Sequence, residues 1–418
     1  MRLKWLMLFV VTMNVHCQSN TSSQAVDTLP SALRAATYPL TLTAAGDLQD
    51  AGGKLMTDAI KDARFVLIGE SHFSRETPRL AAAVCRIMRP DSYAVEAGPY
   101  AAAYVNGLLQ DSQRASHMRD RERTYPASMA FLNDEQENDL AAGCAASSQT
   151  KKFTLWGLDQ EFEGASAILL QQMNAEPNGR VSAAAIRSAM EKDKRAEARA
   201  RLTGDATQLF LTSASDDDVT ELQTALKKDG TAVSESIMRE FVASRRIYRL
   251  NLSDSPDSNS DRASLLKKHF LERYRALQRN TSNPRILLKF GDNHMWKGFN
   301  DTHQLDLGNF VAELASVEHS TSLHIQVLAA RGTLAEFDGY AKPMKDVPFV
   351  LADTPEYGWL KPVVEMLPDK RTDHGSIVVD LRKLRFRNIA MTGEWERLVY
   401  GYDLLVMLPE FTPANLYH

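Results

Sequence analysis

Seven short apolar runs set the strongest limit on how this chain folds. They are "RFVLIG" (64–69), "SYAVEA" (92–97), "KFTLWGLD" (152–159), "RILLKFG" (285–291), "SLHIQVLAA" (322–330), "SIVVDLR" (376–382) and "YDLLVMLP" (402–409). Several are apolar with almost no interruption. A strand with one wet face alternates, whereas a strand covered on both faces does not. Helical spacing fills most of the gaps. After the first run, Thr77 can cap and Pro78 suits a first helical position, and Leu80, Val84, Ile87 and Met88 follow at helical intervals until Arg89-Pro90-Asp91. This alternation predicts an α/β fold, with a mostly parallel central sheet flanked by helices.

One long segment breaks the alternation. Residues of about 164–282 are helical in pattern throughout, with the polar stretch "DSPDSNSD" (254–261) as a break. Apolar residues keep to one side of each helix, which predicts a helical insertion within a single domain spanning 41–418. The many Arg and Lys residues of this segment are read as a solvated face.

The amino terminus differs again. Arg2 and Lys4 precede the apolar "LMLFVVTM", and polar "QSNTSSQ" follows. This layout predicts a signal peptide over 1–17 and an exported protein, periplasmic or secreted, with lipidation at Cys17 the less favoured alternative because His16 is large. Residues 18–40, rich in Ser, Thr, Gln and Ala, read as a mobile lead-in. Of the remaining cysteines, Cys85 and Cys144 are read as free core residues on helices; pairing in an oxidising compartment is the alternative. A net charge of −4 leaves no basic excess for nucleic acid. No internal apolar run reaches the roughly 20 residues of a membrane span. Oligomeric state is not legible.

Ligands of open parallel sheets bind beyond the carboxyl ends of the strands. Glu70, His72 and Glu76 follow the first run, and Glu96 ends the second. Asp159 and Glu161 end the third; Asp292, Asn293 and His294 follow the fourth. One carboxylate at a strand end usually caps a turn. Four successive strands delivering carboxylates and histidines to one edge predict a shared polar cleft.

These same stretches resemble the erythromycin-esterase-like family, in "IGESHFSRET", "YAVEAGPYAAAYVNGLL", "LWGLDQ", "KFGDNHMWKG", "VVDLRKL" and "YDLLVMLPEFTP". The matches keep the family's order from about residue 60 to 412. The tight Gly69-Glu70-Ser71-His72 spacing and Gly291-x-x-His294 are more similar to the haem-uptake and Tiki-type branch of that superfamily. The resemblance implies a hydrolase cleaving an ester, lactone or related acyl bond of a small-molecule substrate without a cofactor. His72 is the expected base, Glu70 or Glu76 its orienting carboxylate, and His294 the second acid/base. Glu96, Asp159, Asn293 and Arg79 are expected to shape the substrate site. The other branch implies two alternatives: a divalent metal ion held by Glu70, His72, Glu96 and His294 in a metal-dependent hydrolase or protease, or a non-enzymatic haem-binding protein.

Overall fold

A computed structural model describes residues 28–150, 152–368 and 375–417. The expected signal peptide, Cys17 and residues 18–27 of the lead-in lie outside the described residues. Eleven strands are present among them: β1 (Thr37–Leu42), β2 (Leu48–Gln49), β3 (Phe65–Glu70), β4 (Ser92–Val95), β5 (Thr154–Gly157), β6 (Ile286–Gly291), β7 (Ser322–Ala329), β8 (Arg331–Glu336), β9 (Lys345–Val350), β10 (Ser376–Asp380) and β11 (Leu404–Leu408). Nine form one sheet in the order β2-β1-β10-β11-β7-β3-β6-β4-β5, and β8 pairs with β9. From β11 to β5 all neighbours are parallel; β10, β1 and β2 add an antiparallel edge. The fold is thus the expected α/β class.

All seven apolar runs are strands, and both faces of the sheet are covered. Along β3, Val66 and Ile68 enter one hydrophobic core while Phe65 and Leu67 enter the other, as the two-residue side-chain period requires. The helix after β3 is Glu76–Met88, and it ends at Arg89 in the left-handed region (φ 53°). It starts earlier than the sequence suggests. The Ser74 hydroxyl accepts the Thr77 N–H, so Thr77 lies inside the first turn.

The structure corrects the sequence reading at three places. Residues 29–40 are no mobile tail: Ala32, Leu33 and Ala36 of the helix Leu29–Ala36 are buried, and β1 pairs with β10. Cys85 and Cys144 lie buried on helices as expected, but they form a disulfide. It joins Glu76–Met88 to the helix Glu135–Ser147. The polar break between two helices is present but covers only 253–256, because the helix Asp257–Gln278 begins within the expected stretch 254–261.

Between β5 and β6 the chain is helical. Ser166–Ala175, Arg180–Thr203, Asp216–Asp229 and Ala232–Leu252 enclose a core of their own around Leu169, Ile186, Leu222 and Phe241. Asp257–Gln278 instead packs Leu266, Phe270 and Tyr274 on the sheet. The chain then enters the sheet as β6, between β3 and β4. The carboxyl ends of β3, β6, β4 and β5 therefore lie side by side.

Candidate functional site

Each of these strand ends delivers a side chain to one cluster. Glu70, the last residue of β3, is buried, and its Oε1 lies 3.1 Å from His72 Nδ1. The other ring nitrogen, Nε2, is 3.2 Å from Glu96 Oε2, just beyond β4. Glu96 Oε2 also accepts the Gly291 N–H at 2.6 Å, which ties β4 to the end of β6. A 3-10 turn, Asp292–Met295, follows β6 and swings His294 back until its Nε2 is 3.3 Å from Glu96 Oε1. His294 Nδ1 is 2.9 Å from Asp306 Oδ2. The result is a continuous chain, Glu70–His72–Glu96–His294–Asp306. His72 is its most open member, with 20% of its side chain accessible.

Arg262, on Asp257–Gln278, fastens this chain from above. It donates to Glu96 Oε1 at 2.6 Å and binds both oxygens of Asp159. Below, the Lys289 ammonium inside β6 pairs with Glu70 and, at 2.6 Å, with Glu137 of Glu135–Ser147. The cleft above the chain has a volume of about 270 Å³ and is walled by Phe131, Phe162 and Tyr248. Phe131 stacks on His72, with ring centroids 3.8 Å apart. Phe131 and Phe73 both hold positive φ (61° and 63°). Bulky residues seldom adopt that conformation, and such strain collects at functional sites. The buried Ser128 hydroxyl, also on the cleft wall, has no hydrogen-bond partner.

Charge in the chain is uneven. Burial disfavours an imidazolium at His72, but the Glu96 and Glu70 carboxylates outweigh it and raise the pKa to about 9. His294 is likewise opposed by burial and lifted to about 10 by Glu96 and Asp306. Glu96, despite its burial, is held well below the usual carboxylate range by His294, His72 and Arg262. At neutral pH both histidines therefore carry a proton against a shared, ionised Glu96.

The structure gathers Glu70, His72, Glu96, Asp159 and His294, and leaves the other candidates elsewhere. Glu76 accepts hydrogen bonds from the Thr412 N–H (2.9 Å) and hydroxyl (2.6 Å), so it braces the segment after β11. Arg79 donates to the Thr43 carbonyl at 2.6 Å, on the same outer side. Asn293 supports the loop after β6, its Oδ1 accepting the Asp301 N–H at 3.2 Å and its carbonyl the Asn300 amide. Asp292 faces Tyr357 and Gln326. Glu161 accepts the Tyr100 N–H at 2.6 Å, at the start of the helix Pro99–Leu108. Arg262, Lys289, Glu137 and Asp306 escape the sequence reading. Arg262 contradicts the solvated-face assignment, as does buried Arg245, which donates to the Ala214 carbonyl and Asp216. For Lys289 a signal existed: a lone charge inside an otherwise apolar run.

A metal ion does not fit this arrangement. Both nitrogens of His72 and of His294 face carboxylates, so the candidate ligands form a chain rather than converging on a point. Among the described residues no group of three or more His, Cys, Asp or Glu side chains is disposed to hold a metal.

Solved structures share this fold. The chain superposes on a mutant of the erythromycin esterase EreC in its open conformation with a TM-score of 0.58 and 15% identity, over 91% of this chain and 99% of that one. A succinoglycan biosynthesis protein matches with a TM-score of 0.58 and 12% identity, over 92% of this chain and 97% of that one. A Bacillus cereus protein matches with a TM-score of 0.52 and 12% identity, over 91% and 97%. The resemblance carried by the strand-end motifs thus extends to the whole fold. No family model matches the sequence, and no curated protein does.

Proposed function

We propose that the protein is a hydrolase that opens an ester, lactone or related acyl bond of a small molecule, using a water activated by His72. The observation that carries this reading is the chain Glu70–His72–Glu96–His294–Asp306 on the floor of the cleft. Glu70 accepts a hydrogen bond from the Nδ1–H of His72 and so turns Nε2 towards Glu96 and the cleft. Once Nε2 has lost its proton, it accepts one from a water. The water oxygen bonds to the acyl carbon. The His294 imidazolium then protonates the departing oxygen as the acyl C–O bond breaks. Arg262 holds Glu96 and Asp159 throughout. Glu70, not Glu76, is the orienting carboxylate.

The erythromycin esterase among the similar structures supports chemistry of this type; erythromycin itself is not carried over as the substrate. Export to an oxidising compartment is supported by the Cys85–Cys144 disulfide and the signal-like amino terminus.

The test is a screen of ester, lactone and peptide substrates, with and without chelator, on the wild type and on His72→Ala and His294→Ala. Turnover is expected to fall at least about a thousandfold in each variant while circular dichroism stays unchanged. Full activity in either variant sinks the assignment. Loss of wild-type activity on chelation, with metal found in the purified protein, transfers the reading to a metal-dependent hydrolase. A shifted haem absorption band on titration, with no turnover, transfers it to a binding protein.

A further inference from the structure

The buried side of the cluster holds charges that the proposed reaction does not use. Lys289 sits in the middle of β6, one of the sheet's central strands, and is only 4% exposed. Its neighbours in β6, Leu288 and Phe290, point into the opposite core. An ammonium at such a depth persists only with partners. Two carboxylates supply them: Glu70 from β3 and Glu137 from the helix Glu135–Ser147. Behind Glu137 stand the Tyr93 hydroxyl of β4, 3.4 Å from Oε2, and Asp134, whose Oδ1 accepts the Glu137 N–H at 2.8 Å. The Cys85–Cys144 bridge pins the same helix.

The oxygen that Lys289 binds is Glu70 Oε1, and this is also the oxygen facing His72 Nδ1. The ammonium and the imidazole therefore compete for one acceptor. We propose that Lys289 is a positioning residue that sets the basicity of His72 by sharing Glu70 Oε1 with it, and that Glu137 governs how much of the ammonium Glu70 receives. With Lys289 drawn to Glu70, less of that negative charge acts on the imidazole, and the ring gives up its proton more readily. With Lys289 drawn to Glu137, Glu70 holds the ring proton more tightly. Glu137 suits this role: burial outweighs the pull of Lys289 and lifts it to about 7, so it changes charge near neutrality. Besides Glu70, His72 faces Glu96, which keeps its own partners, Arg262 and His294, and it also feels the charge of Glu137 directly.

The role rests on His72 being the base, so the test reads the ring directly, without substrate. In the full-length protein, the His72 imidazole is titrated by NMR in wild type, Glu137→Gln, Lys289→Met and the double variant. Glu137→Gln leaves Lys289 to Glu70 alone, and the midpoint is expected to fall by about one pH unit, a tenfold loss of proton affinity. Lys289→Met is expected to raise it by about as much, and the double variant to return it towards the wild type. Should Lys289→Met fail to fold, Glu137→Gln still decides, since it keeps the Lys289–Glu70 pair. An unchanged or raised midpoint in Glu137→Gln overturns the proposal. If the midpoints move as expected but no acyl substrate is turned over by the wild type, the coupling stands and the hydrolase reading falls.

Discussion

A Cβ added to Gly291 would sit 2.9 Å from His72 Nε2 and 3.2 Å from Glu96 Oε2. Both atoms must move to admit it, so Gly291→Ala is expected to cut kcat/KM at least about tenfold while thermal stability changes little. A fully active variant would mean that the His72–Glu96 contact is irrelevant to turnover. The protonation states give a second test. With His72 raised to about 9, roughly one molecule in a hundred holds the free base at pH 7. Activity is therefore expected to climb close to tenfold per pH unit from 7 and level off near 9; a profile flat across that range would count against His72 as base. Of the residues involved, those at strand ends were legible in the sequence, because a parallel sheet puts its ligands there. Glu70, His72, Glu96, Asp159 and His294 all follow that rule. Arg262 and Glu137 reach the site from helices, and Asp306 from the cap of the helix Leu307–Val317, and none of these sequences says which strand end it faces. Lys289 was hidden because an apolar run was read as apolar throughout.

At the scale of elements, continuous apolarity identified every strand with both faces covered, from β3 to β7 and then β10 and β11. It could not identify β1, β8 or β9, which are half-exposed or exposed along most of their length. Pairing with β10, not composition, makes β1 a strand despite Pro39. The disulfide was also beyond reach, since two helices must first be packed side by side before their cysteines can meet. It closes a loop with a sequence separation of 59 residues. Replacing both cysteines by alanine is expected to lower stability by about 3 to 4 kcal/mol, by releasing the unfolded chain from that loop. Denaturant melts of the variant, and of the wild type with and without reductant, measure this; coincident curves would show the bridge to be thermodynamically idle.

For the molecule as a whole, the raised histidines link stability to pH. His72 and His294 are expected near 6.5 when unfolded, and fold to values of about 9 and about 10. The folded state binds their protons more tightly, so this contribution is complete below about pH 6.5 and disappears as pH climbs through 9 and 10. Chemical melts between pH 7 and 10 are expected to show falling stability, with the slope reduced in His294→Gln. The alkaline limb that favours turnover thus coincides with the range in which the fold weakens. The strand order carries a different consequence. β6 lies between β3 and β4, yet more than two hundred residues of chain separate Phe65 from its partner Ile286. During synthesis, β3 and β4 emerge early with nothing to join them, and Glu70 and Glu96 stay hydrated and apart. The cleft closes only when the segment carrying Lys289, Gly291 and His294 leaves the ribosome and inserts between them. A chain stalled anywhere before that point holds half of the proposed chemistry and none of its geometry, so no amino-terminal fragment that stops short of His294 is expected to turn over substrate.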